Sequence, residues 1–198
     1  MDNRTPPLII AISKTFPMSK IFPLINIGHK HFGENKILES LEKWKDIKET
    51  NKEIKLHMVG KIQSNKVKFL LPLFDYIHSL DSLKLARKIS EVQLRFNKKP
   101  KIFIQVNIGD EVQKSGISKN KLVDFYNFCK DLNLDIIGTM CIPPNDKNSE
   151  EYFSEMNKIN QDMDFKELSM GMSADYLAAI KNNATYTRIG SKIFGNRD

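Results

Sequence analysis

A lysine at the end of an apolar run is the first residue of this chain with reactive chemistry to offer. The run over residues 8–13 ends in Ser13-Lys14-Thr15. An amine that is partly desolvated and near other cations has its pKa lowered and becomes a nucleophile towards an aldehyde; a surface lysine after a strand is the plain alternative. Far along the chain, two small-residue segments suit an anion. Met170-Gly171-Met172-Ser173 precedes a helical stretch over 174–180, where Ser173 would cap the helix and free backbone N–H groups would attract negative charge. In Arg188-Ile189-Gly190-Ser191, Gly190 lets the backbone approach a phosphate closely and Ser191 adds a hydroxyl donor. Either segment alone reads as an ordinary cap or turn, but the two together, opposite a lysine, favour a phosphorylated ligand. Arg188 lies two residues before Gly190 and shares its orientation in a strand. A guanidinium only donates, so facing a pyridine nitrogen it would keep that nitrogen unprotonated; a salt bridge to a carboxylate is the alternative.

These residues can meet only if the elements between them bring them to one rim. Short apolar runs at 8–13, 30–32, 55–59, 75–78, 101–107, 135–140, 167–170 and 185–189 are bounded by Gly, Pro, Asn and Ser and alternate with longer stretches of helical period. That alternation predicts βα units around a parallel sheet, and eight runs are the number that closes a (β/α)8 barrel. The clearest helices are predicted over 81–96 and 119–132, the second with Leu122, Phe125, Cys129 and Leu132 on one stripe. Pro23 predicts a helix in 18–27 that is short or begins anew at the proline. An open doubly wound sheet would also alternate, but no GxGxxG follows the first run. The fold expected is therefore a single TIM-type α/β barrel occupying 1–198, abbreviated at the N-terminus, with no obvious helix at either end to cover the closing seam. In such barrels the active site lies at the C-terminal ends of the strands, and phosphate binds after strands seven and eight. Lys14 and the two anion segments fall at those places.

Composition narrows the alternatives. The chain has 198 residues, 40% of them hydrophobic, enough for one core. Its net charge of +7 comes from lysines scattered along the sequence, whereas a nucleic-acid footprint needs clustering. Two cysteines, Cys129 and Cys141, form no CxxC pair, which argues against disulfide scaffolds and zinc ribbons and fits a reducing cytoplasm. The opening Met-Asp-Asn-Arg-Thr-Pro-Pro has no apolar signal region, and no run approaches the ~20 residues of a membrane span.

An ordered series of motifs carries a resemblance. It comprises Ala11-Ile12-Ser13-Lys14-Thr15, Phe32-Gly33-Glu34-Asn35, His57 through Gly60 to Gln63-Ser64-Asn65-Lys66, and His78-Ser79-Leu80-Asp81-Ser82. It continues with Gln105-Val106-Asn107, Lys114-Ser115-Gly116, Gly138-Thr139-Met140 with Ile142-Pro143, Leu168 through Ser173 with Asp175, Arg188-Ile189-Gly190 and Phe194-Gly195-Asn196-Arg197-Asp198. In these motifs the chain resembles the pyridoxal phosphate homeostasis proteins (the YggS/PROSC family) nearly end to end. The resemblance implies a barrel similar to the N-terminal domain of alanine racemase, with pyridoxal 5′-phosphate (PLP) at its mouth. It implies that Lys14 is the Schiff-base lysine, that Arg188 faces the pyridine nitrogen, and that Ser173, Gly190 and Ser191 cradle the phosphate. Asn35 and Ser79 match pocket-lining positions, though Asn35 could equally cap a helix and Ser79 belong to a turn; His57 and Met140 resemble wall positions, with ordinary packing an equal reading. Cys141 stands where the family commonly has threonine, and the family usually carries a helix before the first strand.

The resemblance implies a non-catalytic protein that stores, buffers or delivers PLP in the cytoplasm, with PLP-dependent apo-enzymes as partners and no nucleic acid or membrane. A small PLP-dependent racemase is the alternative. Racemisation needs acid/base groups on both faces of the substrate, and alanine racemase takes one of them, a tyrosine, from a second domain. The five tyrosines here, Tyr76, Tyr126, Tyr152, Tyr176 and Tyr186, all fall within predicted strands or helices.

Overall fold

The computed structural model describes residues 5–111, 113–145 and 148–195. Eight strands alternate with eight helices: β1 (Leu8–Ile12), α1 (Met18–Asn26), β2 (His31–Glu34), α2 (Ile37–Thr50), β3 (Lys55–Met58), α3 (Val67–Leu73), β4 (Tyr76–Leu80), α4 (Leu83–Phe96), β5 (Lys101–Val106), α5 (Leu122–Asp131), β6 (Asp135–Cys141), α6 (Ser149–Asp162), β7 (Glu167–Met172), α7 (Tyr176–Lys181), β8 (Tyr186–Ile189) and α8 (Ser191–Phe194). The strands pair in parallel, in chain order, and β8 returns to β1 with Leu8 opposite Tyr186 and Ala11 opposite Ile189. This closed (β/α)8 barrel has a strand at each of the eight places where an apolar run predicts one.

Strand alternation divides the apolar residues between two layers. Ile10, Ile12, Phe103, Met140 and Tyr186 pack inside the barrel. Ala11, Phe32, Leu56, Ile77 and Ile104 belong to the larger cluster that includes helix residues such as Trp44, Leu71, Ile89 and Phe153. Helix α4 shows why these segments are helical: Leu85, Ala86, Ile89 and Val92 recur on one buried face. The Ser82 hydroxyl accepts from the Leu85 N–H at 3.4 Å, and Asn97 ends the helix at φ 45°. The start expected at residue 119 is a single 3₁₀ turn, Lys119–Lys121, before α5 proper, whose Leu122, Phe125 and Cys129 are buried.

Helix α1 runs through Pro23 without a fresh start. It is only nine residues long, so the proline removes one hydrogen bond and the burial of Ile21 still anchors the helix. At the closing seam the single turn of α8 follows β8, and Ile9 on the outer face of β1 is 47% exposed. Among the described residues, no helix is long and apolar enough to cross a membrane. Asn196-Arg197-Asp198, the end of the last matching motif, lies outside the described residues.

Candidate cofactor site

The C-terminal ends of the strands surround a cleft of about 620 Å³ whose wall includes Ile12, Lys14, Met172, Ser173, Arg188, Gly190 and Ser191. Lys14 stands in the turn two residues beyond the inward-facing Ile12, the last residue of β1, and lines the barrel mouth. Ser173 takes another role than helix capping. Helix α7 begins later than the sequence predicts, with Asp175 at its N-cap position, and the Ser173 hydroxyl instead accepts the Gly190 N–H at 3.2 Å. That bond ties the loop after β7 to the loop after β8. Asp175 Oδ1 closes the β7 loop by accepting the Met172 N–H at 2.7 Å. Gly171 has φ +87°, and a Cβ there would stand 2.5 Å from the Ala179 Cβ, so only glycine permits this close approach of strand and helix.

Other candidates lie elsewhere. Ser79 is buried and donates to the Gly60 carbonyl at 2.6 Å. Asn35 lines a separate cleft with Lys36, Lys61 and Gln63. His57 and Met140 are fully buried, Met140 in the inner layer of the barrel, so neither forms a wall of this cleft.

Arg188 is 4% exposed, and its hydrogen bonds go to neutral groups: the Ser169 hydroxyl at 2.7 Å and the Cys141 carbonyl at 2.9 Å. A guanidinium has five N–H donors, so donors remain for the cleft it lines. The contact to residue 141 uses the backbone carbonyl, which makes it indifferent to cysteine in place of threonine. Behind Arg188 a chain of side chains crosses the barrel. Ser169 Oγ is 2.9 Å from His78 Nδ1, His78 Nε2 is 2.9 Å from His57 Nδ1, and His57 Nε2 is 2.9 Å from His31 Nδ1. Arginine cannot accept, so Ser169 accepts from Arg188. From Ser169 onward each contact pairs one donor with one acceptor, and the tautomers of His78, His57 and His31 set which nitrogen donates.

All three imidazoles are held neutral. For His78, burial lowers the pKa well below the ordinary value, followed by the charge of Arg188. For His57, burial dominates again, with His78 and His31 adding to it. His31 is lowered to about 4, by burial first and then by His29 and Lys55. A neutral chain leaves Arg188 as the charged end of the network. Sequence reasoning missed this ladder, although a signal existed: all four histidines of the chain, at 29, 31, 57 and 78, fall in or beside the second, third and fourth strands.

Comparison with known proteins places the chain. The family described as alanine racemase, N-terminal domain, matches residues 7–198. The pyridoxal phosphate homeostasis protein of Pasteurella multocida is 35% identical over 96% of this chain and 86% of its own, and that of Aquifex aeolicus is 34% identical over the same shares. Among solved structures, PipY of Synechococcus elongatus with PLP bound superposes with a TM-score of 0.88 at 29% identity, covering 97% of this chain and 95% of that one. An alanine racemase of Clostridium difficile shares the fold, with a TM-score of 0.75 at 15% identity, this chain covering 53% of it. The chain belongs to the pyridoxal phosphate homeostasis protein family, built on the alanine racemase N-terminal domain.

Proposed function

We propose that this protein binds PLP in the cleft at the barrel mouth and holds it for transfer to apo-enzymes in the cytoplasm, without turning over a substrate of its own. One observation carries the reading: the amine just beyond β1, the tied loops after β7 and β8, and Arg188 line one cleft. PLP supplies an aldehyde, a phosphate and a pyridine nitrogen. Lys14, which lines the cleft, would hold the first through its amine, with the aldehyde oxygen lost as water. Ser191 and the loop that Ser173 fastens to Gly190 answer the second, where the first N–H groups of α8 have no carbonyl of their own helix to bond. Arg188 answers the third. A permanent donor keeps the pyridine nitrogen unprotonated and so holds the ring without making it a strong electron sink. The relatives named for PLP homeostasis and the PLP-bound PipY support the assignment.

A racemase would need a second acid/base group across the cleft from Lys14. Among the described residues no tyrosine lines it; Tyr76 and Tyr186 pack at the other end of the barrel, where β4 and β8 begin. The test is spectral titration of purified protein with PLP, followed by incubation with L-amino acids in deuterated water. Wild-type protein should develop an adduct absorbance that Lys14→Ala abolishes, without rapid α-proton exchange. No adduct band in the wild type would refute the cofactor reading, and rapid exchange would refute the carrier reading.

A further inference from the structure

A second polar cluster lies on the far side of β1 from the cleft, between the barrel and α2. Lys43, its side chain 11% exposed, places Nζ 2.7 Å from Glu34 Oε1, and Glu34 is 1% exposed. The same ammonium donates to the Ser13 carbonyl at 2.9 Å and to the Phe16 carbonyl at 3.4 Å. Glu34 Oε1 also accepts from the Ser13 hydroxyl at 2.8 Å and the Trp44 indole N–H at 2.9 Å. One ion pair therefore grips both ends of the segment 13–16, and Lys14 lies between the gripped carbonyls. The segment needs holding: Thr15 has φ 68°, a left-handed conformation unfavourable for a β-branched residue. On its other side Phe16 stacks at 4.9 Å on Phe194, the last residue of the helical turn that Gly190 and Ser191 begin.

A buried ion pair is a poor source of net stability, because the attraction between the charges does little more than offset their desolvation. Its contribution here is geometric. An ammonium bonded to two carbonyls three residues apart fixes the turn, and the turn fixes the direction in which Lys14 leaves the backbone. We propose that Lys43, held by Glu34, is a positioning residue for Lys14, setting the amine for attack on the aldehyde bound in the cleft. The inference rests on the assignment of Lys14 above and extends it to residues that do not touch the ligand.

The test separates formation of the covalent bond from occupation of the cleft. Pyridoxamine 5′-phosphate has no aldehyde, so equilibrium dialysis with it reports the cleft alone, while borohydride trapping with PLP reports the rate of bond formation. The paired variant Lys43→Met with Glu34→Gln removes the grip without stranding a buried charge. Its trapping rate at Lys14 should fall about tenfold or more, as misplacement of a reacting group does, while pyridoxamine 5′-phosphate affinity stays within about twofold of wild type. Lys43→Arg, which keeps the cation, should restore most of the rate. Unchanged trapping in the paired variant would overturn the proposal, as would a parallel fall of affinity, trapping and Tm, which marks a merely structural pair. Should the paired variant not fold, Ser13→Ala cuts one bond of the same network, and unchanged trapping there would overturn the proposal equally. Wild-type trapping at a lysine other than Lys14 would instead refute the cofactor assignment, a failure distinguishable from the others.

Discussion

At the scale of single residues, the buried guanidinium of Arg188 organises the interior of the mouth. Its hydrogen bonds go to a hydroxyl and a carbonyl, while the Asp175 carboxylate acts on it only through the field, so N–H donors remain for the cleft. Ser169 is the hinge of this arrangement because it meets both Arg188 and His78. Ser169→Ala leaves two buried polar groups, the Arg188 N–H and the His78 Nδ1, without their partner and should cost about 1–3 kcal/mol in urea denaturation; a loss below a few tenths would contradict the network. Lys14, Arg188, Gly190 and Ser191 were legible in the sequence because each lies at or just beyond a strand end, where barrel geometry dictates position. Ser169 and His78 were not. They stand 91 residues apart, and only closure of β4 and β7 around one interior makes them neighbours.

At the scale of elements, the barrel was readable because eight apolar runs alternate with helical periodicity, whereas helix starts were not. Ser173 illustrates the reason: a serine before a helical stretch satisfies the local pattern of a cap, but the donor it accepts from belongs to Gly190, on the loop after another strand. Competition between local and tertiary partners cannot be settled from one segment. The seams between strands make their own demand. A Cβ at Gly138 in β6 would lie 1.8 Å from the Glu167 carbonyl oxygen at the start of β7, and that neighbour is backbone, which cannot swing aside. Gly138→Ala should therefore destabilise the fold by about 1–3 kcal/mol or more. Thermal unfolding that matches wild type would show that β6 and β7 do not approach so closely.

At the scale of the whole molecule, the histidine ladder links stability to pH. His31, His57 and His78 are depressed below the usual 6.5, His31 to about 4 and the other two well below their ordinary value by burial. Above 6.5 the folded and unfolded chains are both neutral at these sites, and the full stability is present. As pH falls below that value, the unfolded chain takes up protons that the folded chain refuses, so stability declines until the folded pKa values are reached. Each refusing histidine contributes a slope of up to about 1.4 kcal/mol per pH unit. Urea denaturation should show a steady loss between about pH 6.5 and 4, which His57→Phe would reduce. A flat profile there would mean that the imidazoles are accessible to protons in the folded state.

One amine among the many lysines of this chain is expected to share a small ligand with the loops after β7 and β8. Borohydride reduction of the PLP-loaded protein, followed by peptide mapping, should give a single reduced adduct on Lys14, and that adduct should not form when excess inorganic phosphate competes for the loops during loading. Label spread over surface lysines, or an adduct on Lys14 insensitive to phosphate, would contradict it.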